Sequence, residues 1–559
     1  MAGRPCGMEH MHIIRFLGKR EYGLGATALA FIVLQVYLDL KLPDYMQTIT
    51  TLIVTPGTAM GRVLGEGALM LGCALGSMLA TVVTGYCMAV IGTSMAQRMR
   101  AGVFDATLDF SMAEIGEFST PSLITRSTND VTQIQMFVVM AVQLLVRSPI
   151  VAVWAILKIS DANMTWTLAT GAAVAVLLTV LGVIAVLVTP RMMRMQRITD
   201  DLNRVTREHL SGLRVIRAYN SQGFHGRRFE AANAELTGAN TFVNNAFAFL
   251  MPSLTAIMSG LSLAIYVLGA VMIDAATGAE RLTLFSQMIV FSAYALQIVG
   301  AFMMLAFVFI FMPRARVAWR RIREVLSTEP GIADGAARVG RSRASGEVEF
   351  RNVSFRYPDA EDDALKDVSF TARPGQTVAI IGSTGSGKSS IVNLVPRFYD
   401  VREGQVLVDG RDVREWEQKA LRDRISFVPQ RATLFSGTIA SNIDFGRGAR
   451  EVTPRDVVEA AEAASAVEFI AAREGRYASA VAQGGSNFSG GQKQRLAIAR
   501  AVARGGGVMI FDDSFSALDV ATDARLRAAL APATAGVTRI VVAQRVSTIT
   551  EADLILVLD

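Results

Sequence analysis

Histidine, cysteine and charge are all scarce in this 559-residue sequence, and the scarcity of cysteine and of charge each argues against a class of protein. The three cysteines are too few for a disulfide framework and show no metal-ligand spacing. Charged residues make up 19% of the chain, whereas soluble domains have about 25%, which argues against an ordinary soluble enzyme. The 51% hydrophobic content excludes a disordered chain. Only four histidines occur, and the last is His225, so the C-terminal half has none.

The apolar residues are concentrated before residue 314 in long stretches. A helix needs about 20 apolar residues to cross a hydrocarbon layer of about 30 Å, and stretches of this kind are rare in soluble cores. We therefore predict six transmembrane helices. One stretch, 131–157, is interrupted only by Arg147. The five charge-free windows are Tyr22–Leu38, Gly67–Gln97, Ala162–Pro190, Leu236–Ile273 and Leu282–Pro313.

The distribution of basic residues predicts the orientation in the membrane. Segments 93–137 and 190–244 carry twelve arginines, whereas the three loops on the opposite side carry three basic residues. The positive-inside rule places the long segments, the N-terminus and the C-terminal half in the cytoplasm of a plasma-membrane protein. At 1.5 Å per residue, a helix through 93–115 would run about 35 Å beyond the membrane, so we expect helices that continue into the cytosol. No small-residue cleavage pattern follows the basic N-terminus, so no cleavable signal peptide is expected.

The composition changes at Arg314. Five arginines between 314 and 323 form a basic exit from the last span, which we interpret as a solvated helix beside anionic membrane lipids, not as a nucleic-acid site. A linker rich in Gly, Ala and Ser follows, and short β-rich runs then alternate with helical ones. The predicted domains are a transmembrane domain over 1–325, a linker over 326–345 and a soluble α/β domain over 346–559.

A phosphate-binding loop follows the predicted strand Thr377–Ile381. It matches GxxxxGK[ST], in which glycines let backbone N–H groups converge on phosphate oxygens. Lys388 supplies a mobile positive charge, and Ser389 can place its hydroxyl on Mg²⁺. A helix-compatible stretch comes next, so strand, loop and helix have the order that ATP binding requires. The predicted nucleotide-binding residues here are Gly382, Ser383, Thr384, Gly385, Ser386, Gly387, Lys388, Ser389 and Ser390.

Two further patterns accompany the loop. Val508–Phe511 is an apolar run that ends in Asp512, a carboxylate suited to hold Mg²⁺ beside the phosphates. Between the two patterns, adjacent glycines open a predicted helix in Phe488–Gln492, and a helix N-terminus of this kind binds anions. The sequence therefore predicts a binding site for ATP and Mg²⁺.

The run Phe488-Ser489-Gly490-Gly491-Gln492 resembles the signature sequence of ATP-binding cassette (ABC) proteins, and the likeness extends over the whole chain. The resemblance implies the type IV ABC exporter fold, an α-helical six-span transmembrane domain fused to an α/β P-loop nucleotide-binding domain. It also implies that Tyr357 stacks on adenine, that Gln430 contacts Mg²⁺ and the attacking water, and that Asp519 lies in a loop crossing a dimer interface. Six spans with one nucleotide domain form a half-transporter, which needs a second chain.

Two cytoplasmic loops of such exporters are also represented. Arg126–Val131 and Gly212–Tyr219 resemble the loops that connect the spans on the nucleotide-domain side. The resemblance implies that neighbouring short helices, at about 115–122 and 221–228, dock on nucleotide domains.

The sequence departs from the family pattern at two catalytic positions. Asp513 stands where the family has a Glu that acts as general base, and its carboxylate should sit about 1.5 Å further from the water. Gln544 stands where the family has a His that contacts the γ-phosphate, and an amide cannot become cationic or pass a proton. With Gln430 these residues complete the predicted catalytic set. We expect ATP to bind well and to be hydrolysed slowly at this chain's own site.

The signature sequence Ser489–Gln492 matches the family pattern, whereas Asp513 and Gln544 depart from it on the phosphate-loop side of the site. The chain thus resembles the degenerate-site subunit of bacterial heterodimeric multidrug ABC exporters. This implies a partner half-transporter with Glu and His at the positions of Asp513 and Gln544, and a small amphipathic substrate, a drug, lipid or peptide. The alternatives are an ATP-binding regulatory subunit that transports nothing and a slow homodimeric lipid flippase.

Arg147 is a charge inside a predicted span, and such residues are functional candidates. Counting about 27 Å of helix from Asn129 places it near the cytoplasmic membrane face. A structural anchor that reaches lipid headgroups and a substrate contact both remain open for this residue.

Overall fold

The chain is described by a computed structural model over residues 13–55, 57–160, 164–277, 279–339, 346–446, 451–546 and 549–559. The described residues form two compact units. The first contains the residues up to Ala106 and Ile124–Ser327, and the second contains Thr107–Leu123 and the residues from Thr328 onward. Residues 340–345 of the predicted linker lie outside the described part of the chain.

Nine α-helices precede the second unit's sheets in the described residues, and six helical segments are long and apolar enough to cross a membrane. The predicted six spans are therefore confirmed. The helices are α1 (Lys19–Val54), α2 (Met60–Asp109), α3 (Met112–Phe118), α4 (Thr120–Thr125), α5 (Val131–Ser160), α6 (Met164–Ser211), α7 (Leu213–Ala218), α8 (Gln222–Ala275) and α9 (Ala279–Ser327).

The long helices continue past their apolar windows, as expected from the sequence. Helix α2 continues 12 residues beyond Gln97, and α6 ends at Ser211, well past Pro190. The expectation of a separate short helix at 221–228 is wrong, because these residues belong to α8 apart from its cap, Ser221. The short helix of this loop is instead α7, which Gly212 precedes.

The charges of α1 also change the sequence-based interpretation of Arg147. Helix α1 continues beyond Leu38, so Asp39 and Asp44 lie within a candidate span. The Arg147 guanidinium donates from Nη2 to Asp39 Oδ2 at 3.0 Å. A carboxylate on a neighbouring helix is therefore a partner that the sequence analysis did not foresee.

Tight packing at glycine and aromatic positions holds the first unit together. Trp166 of α6 is fully buried and contacts the Phe291 ring of α9, with ring centroids 5.4 Å apart. A Cβ at Gly269 of α8 would lie 2.4 Å from Met288 Sδ, so α8 and α9 approach too closely there for a larger residue. The Tyr294 hydroxyl donates to the Leu40 carbonyl at 2.9 Å and so ties α9 to α1.

A π-helix, Arg126–Asp130, stands between α4 and α5. Arg126 is buried and donates from Nη1 to Glu324 Oε2 at 2.6 Å and to the Arg321 carbonyl at 2.8 Å. Asp130 is also buried, and Arg321 Nη1 lies 3.5 Å from its Oδ2. These ionic contacts fix the π-helix to the C-terminal end of α9.

The described residues of the second unit form three sheets. Their strands are β1 (Val348–Phe355), β2 (Leu365–Ala372), β3 (Thr377–Gly382), β4 (Glu403–Val408), β5 (Arg411–Asp412), β6 (Ile425–Val428), β7 (Gly437–Thr438), β8 (Ala480–Val481), β9 (Val508–Asp512), β10 (Thr538–Val542) and β11 (Leu554–Leu558). The antiparallel sheet has the order β2-β1-β4-β5, the parallel one has the order β11-β3-β10-β9-β6, and β7 pairs with β8.

Seven α-helices follow β1 in the described part of the second unit. They are α10 (Lys388–Leu394), α11 (Gln418–Arg422), α12 (Ile439–Ile443), α13 (Pro454–Ala463), α14 (Val467–Ala471), α15 (Gly490–Arg504) and α16 (Val520–Ala533).

The register of the parallel strands places functional residues at one edge. Val542 of β10 pairs with Ile380 of β3 on one side and with Asp512 of β9 on the other. All five residues of β9 are buried, as expected for a strand covered on both faces. The carboxyl ends of β3, β9 and β10 therefore meet, and the residues that follow each strand lie close together.

Segments from outside the sheets also belong to the second unit. The Ala337 amide donates to the Glu415 carbonyl at 2.9 Å, and the Gly335 amide to the Trp416 carbonyl at 3.0 Å. The Gly331 amide donates to Glu114 Oε1, which follows the cap of α3. The described part of the predicted linker is thus bonded to this unit.

Candidate nucleotide-binding site

The phosphate loop connects β3 to α10. Gly387 precedes α10 with a φ of +87°, and a Cβ there would lie 2.5 Å from the Ala364 carbonyl oxygen, so glycine is required. Lys388 Nζ donates to the Gly382 carbonyl at 3.0 Å and to the Ser383 carbonyl. The ammonium group thus lies inside the loop, where it is available to phosphate oxygens.

Ser389 and Asp512 provide oxygens of the kind that Mg²⁺ prefers. Ser389 Oγ donates to Asp512 Oδ1 at 2.9 Å, so β9 and α10 bring a hydroxyl and a carboxylate together. Burial raises the pKa of Asp512, and the neighbouring Asp513 charge raises it further, whereas the Ser389 bond and the Lys388 charge lower it. A bound cation would compensate for two buried carboxylates, so these residues fit Mg²⁺.

The three residues predicted to be catalytic meet at one atom. Gln544 Nε2 donates to Asp513 Oδ2 at 2.9 Å, and Gln430 Nε2 donates to the same oxygen at 3.1 Å. Asp513 directly follows β9, is 7% exposed and has a φ of +47°. The structure thus brings Asp513, Gln430 and Gln544 together beside Asp512.

Tyr357 follows β1 and lies beside the start of α10. Its hydroxyl is 3.0 Å from Ser390 Oγ, and its ring contacts Phe355 and Tyr399 edge to face, at centroid distances of 4.8 and 5.2 Å. Sequence reasoning missed Tyr399. An aromatic residue five positions after the predicted helix that follows the phosphate loop was a possible signal for it. The ring of Tyr357 is therefore held close to the phosphate loop.

The signature residues begin helix α15. Ser489 caps the helix, since its Oγ accepts from the Gln492 amide at 3.3 Å and Gln492 Oε1 accepts from the Ser489 amide at 3.1 Å. Nothing lies within 4 Å of a Cβ built at Gly490, whereas one at Gly491 would lie 3.3 Å from Leu518 Cδ2. The N–H groups at this helix start form an anion site. Among the described residues, no hydrogen bond joins Ser489–Gln492 to the phosphate loop.

Asp519 begins helix α16 and accepts from the Thr522 amide at 2.9 Å. Hydrogen bonds from the Thr522 side chain and from backbone amides lower the pKa of Asp519. Arg545 donates to the Leu518 carbonyl at 3.2 Å and to the Ser516 carbonyl at 3.4 Å. Sequence reasoning missed this contact, although a basic residue directly after Gln544 was a possible signal. Arg545 connects the Asp519 loop to the end of β10.

A phosphate loop, a paired hydroxyl and carboxylate for Mg²⁺ and a second anion site define a P-loop ATPase unit, here attached to six apolar helices. The model of the ABC transporter family matches residues 365–516, and that of the ABC transporter transmembrane region matches 29–302. An uncharacterized ABC transporter ATP-binding protein of Mycobacterium tuberculosis is 40% identical over 522 residues, 92% of this chain and 88% of that protein. The chain belongs to the ABC transporter family.

Two further relatives bear on the subtype and the fold. An ATP-dependent lipid A-core flippase of Pseudomonas aeruginosa is 32% identical over 493 residues, 87% of this chain and 78% of that protein. The structure of a bacterial Atm1-family ABC exporter with ATP bound superimposes with a TM-score of 0.80 at 24% identity, covering 97% of this chain and 94% of that one. The fold is the type IV ABC exporter fold, as the sequence predicted.

Several predictions are confirmed at the level of the family. The chain is a half-transporter of the ABC exporter class with an ATPase domain, and such exporters work as dimers. The ABC domain implies ATP binding, for which Mg²⁺ is generally used. The six apolar helices indicate a multi-pass membrane protein.

Proposed function

We propose that this chain is one subunit of a heterodimeric ABC exporter for amphipathic compounds, and that its own ATP site hydrolyses slowly. The subunit would lie in the plasma membrane with its N-terminus and nucleotide domain in the cytoplasm. Within this proposal the domains are residues 1–325, the linker 326–345 and residues 346–559. The observation that carries the proposal is the bonding of Gln430 and Gln544 to one oxygen of Asp513.

The Asp513 carboxylate is poorly placed to act as a base. Its side chain is one methylene shorter than that of Glu, and its Oδ2 already accepts two amide N–H groups at 2.9 and 3.1 Å. This oxygen is therefore already occupied by amide donors and is less available to accept a proton from an attacking water. A positioned general base raises a reaction rate by a factor of about 10²–10⁴. The poor placement of the Asp513 carboxylate therefore supports slow hydrolysis at this site.

The remaining residues of the site support tight nucleotide binding. ATP supplies the phosphoanhydride bond, and Mg²⁺ neutralises phosphate charge. In our proposal the loop amides of 382–390 and the Lys388 ammonium bind the phosphates, and Tyr357 contacts the adenine. Ser389, Asp512 and Gln430 hold Mg²⁺, directly or through water. None of these functions requires the histidine side chain that Gln544 replaces in this sequence.

The intact signature supports a heterodimer. Ser489, Gly490, Gly491 and Gln492 present backbone N–H groups at an exposed helix start, which a partner's nucleotide would meet across a head-to-tail dimer. Asp519 would lie in the loop crossing that interface. A partner with Glu and His opposite this signature would complete one efficient site. Closure on ATP would move the spans, and hydrolysis at the partner's site would reset them.

The test compares ATPase activity of the purified chain alone and with the half-transporter that co-purifies with it. We expect the chain alone to turn over at least about 10²-fold more slowly than the mixed dimer. Asp513→Glu together with Gln544→His should raise turnover of the chain alone, whereas Lys388→Ala in that background should abolish the gain. High turnover by the unmodified chain alone would refute the proposal.

A slow homodimeric lipid flippase is a second candidate, which the 31–32% identity to proteins named lipid A-core flippases favours. Its distinguishing result is lipid translocation by vesicles that contain this chain alone, accelerated by Asp513→Glu. A regulatory subunit would instead give no substrate movement with any competent partner.

A further inference from the structure

A polar cluster lies among the apolar helices of the first unit. Asp39 of α1 accepts from Arg147 Nη2 of α5 at 3.0 Å, and its other oxygen accepts from Ser77 Oγ of α2 at 2.5 Å. Both carboxylate oxygens therefore have partners on different helices. The guanidinium and the carboxylate form a pair with no net charge.

The pair lies among the apolar residues of the candidate spans. Arg147 interrupts the apolar stretch 131–157 of α5 at about 15 Å of helix from the end of that stretch, and Asp39 directly follows the charge-free window Tyr22–Leu38 of α1. A separate pair, Lys158 with Asp44 at 2.9 Å, lies nearer the end of α5. Charges at such depth are rare and face the interior of a bundle or a hydrated cavity, because lipid contact is costly.

Polar atoms around the pair remain without partners. The Arg147 side chain is 40% exposed and the Asp39 side chain 22%, so the pair is on the surface of the helical unit. Gln35, one turn before Asp39 on α1, is 3% exposed, and its Oε1 has no hydrogen-bond partner. Arg147 Nε is also buried without a partner. An accessible charge at this depth with unsatisfied neighbours fits a pathway that polar groups enter.

We infer that Asp39 is a specificity-determining residue, because its carboxylate neutralises Arg147 and so makes this part of the pathway dipolar instead of cationic. Such a surface accepts amphiphiles with zwitterionic headgroups and gives anionic ones no advantage. Removing the carboxylate exposes a lone guanidinium, which binds phosphate or carboxylate groups strongly in a low-dielectric environment. The inference rests on the proposed export function only in placing substrates against these helices.

The test measures binding to the full-length chain in dodecyl maltoside micelles without nucleotide. The probes are dihexanoylphosphatidylcholine and dihexanoylphosphatidylglycerol, which have the same acyl chains and differ in headgroup charge, and tryptophan fluorescence reports binding. We expect the wild-type chain to bind the zwitterionic lipid at least as tightly as the anionic one. Asp39→Asn should shift the affinity ratio toward the anionic lipid by about tenfold.

Matched variants distinguish a shift in the lipid affinity ratio from a general loss of folding. Asp39→Asn combined with Arg147→Gln should restore the wild-type ratio, and Asp44→Asn, which alters the other ion pair, should leave the ratio unchanged. An unchanged ratio in a folded Asp39→Asn chain, or a shift that persists in the double variant, overturns the inference.

A second variant covers the case in which Asp39→Asn does not fold. Arg147→Gln leaves the Asp39 carboxylate unpaired, and it should shift preference from tetradecylphosphocholine toward tetradecyltrimethylammonium. Absence of that shift in a folded variant also overturns the inference. Because these assays contain no ATP, their failure is distinguishable from failure of the proposed ATPase asymmetry.

Discussion

At the scale of single residues, Asp512 and Asp513 place two carboxylates side by side at the buried end of β9. Burial and the Asp513 charge raise the pKa of Asp512 in the folded chain. A carboxyl with a raised folded pKa stabilises the fold when protonated, and this contribution is lost as the pH rises through that pKa. The nucleotide-free chain should therefore lose stability as the pH rises from the ordinary carboxyl value of 3.8 through the raised pKa of Asp512, and Mg²⁺ should restore that stability.

The first residue-scale prediction concerns Asp512→Asn. Because the substitution removes the buried charge, we expect it to raise the Tm of the nucleotide-free chain at pH 7 by roughly 2–4 °C. It should also make the Tm less dependent on pH. The same change should remove the stabilisation by ATP with Mg²⁺. Thermal unfolding with and without ligand measures both effects, and the exposed Asp359→Asn serves as control. A lower Tm for the ligand-free variant would contradict the argument.

At the scale of elements, helix α15 offers a test that separates the signature from the fold. Gly490 has open space around it, so Gly490→Ala should leave the Tm and ATP binding by the chain alone unchanged. The added methyl group would stand over the N–H groups at the helix start, and we expect ATPase turnover of the mixed dimer to fall about tenfold or more.

The neighbouring glycine is the structural contrast for that experiment. Gly491→Ala must displace Leu518, whose Cδ2 would lie 3.3 Å from the new Cβ, so it should lower the Tm as well. If Gly490→Ala impaired the chain alone and spared the dimer, the signature would not serve the partner's site.

The π-helix gives a second prediction at this scale. Arg126 has 11% of its side chain exposed and binds two groups of α9, whereas its partner Glu324 is 56% exposed. Arg126→Ala removes the donor to Glu324 and to the Arg321 carbonyl, and it also removes a positive charge near the buried Asp130. We therefore expect the free energy of unfolding to fall by about 2 kcal/mol. Glu324→Ala should cost less than about 1 kcal/mol because solvent screens that side chain. Thermal unfolding of both variants in detergent tests the order.

Elements differ in how far their sequence predicts them. The run Val508–Asp512 and the loop 382–389 are fixed by local pattern, and both occur as predicted. The ionic contacts of Arg126 and Asp39 could not be predicted, because each joins residues more than 35 positions apart. The extent of α1 was underestimated for a related reason, since the charge of Asp39 ended the apolar window although a tertiary partner neutralises that charge.

At the scale of the whole molecule, the second unit combines residues from two distant parts of the chain. Glu114, beside the cap of α3, contacts Gly331 of the segment after α9 through a 3.2 Å hydrogen bond. In a chain whose native cysteines are replaced by serine, Glu114→Cys with Gly331→Cys should form a cross-link within one chain. Gel mobility at monomer mass after treatment with a short bismaleimide measures this, and dimer-sized product alone would contradict it.

Part of the candidate site could be predicted at this larger scale and part could not. The convergence of Asp513, Gln430 and Gln544 was expected only from family resemblance, because parallel strands that bring them together are more than 30 positions apart in sequence. That both amides would share one carboxylate oxygen depends on side-chain geometry, which no spacing rule supplies. Arg545 and Tyr399 were missed for the same reason.

The amide at position 544 also has an analytical consequence. The nucleotide domain of this chain contains no imidazole, and Gln544 neither titrates near neutral pH nor reacts with histidine-directed reagents. Histidine labelling with diethyl pyrocarbonate and NMR of imidazole protons therefore give no signal from this domain. In any mixed assembly that contains the chain, a histidine signal that responds to nucleotide at the ATP sites would report on the other subunit alone.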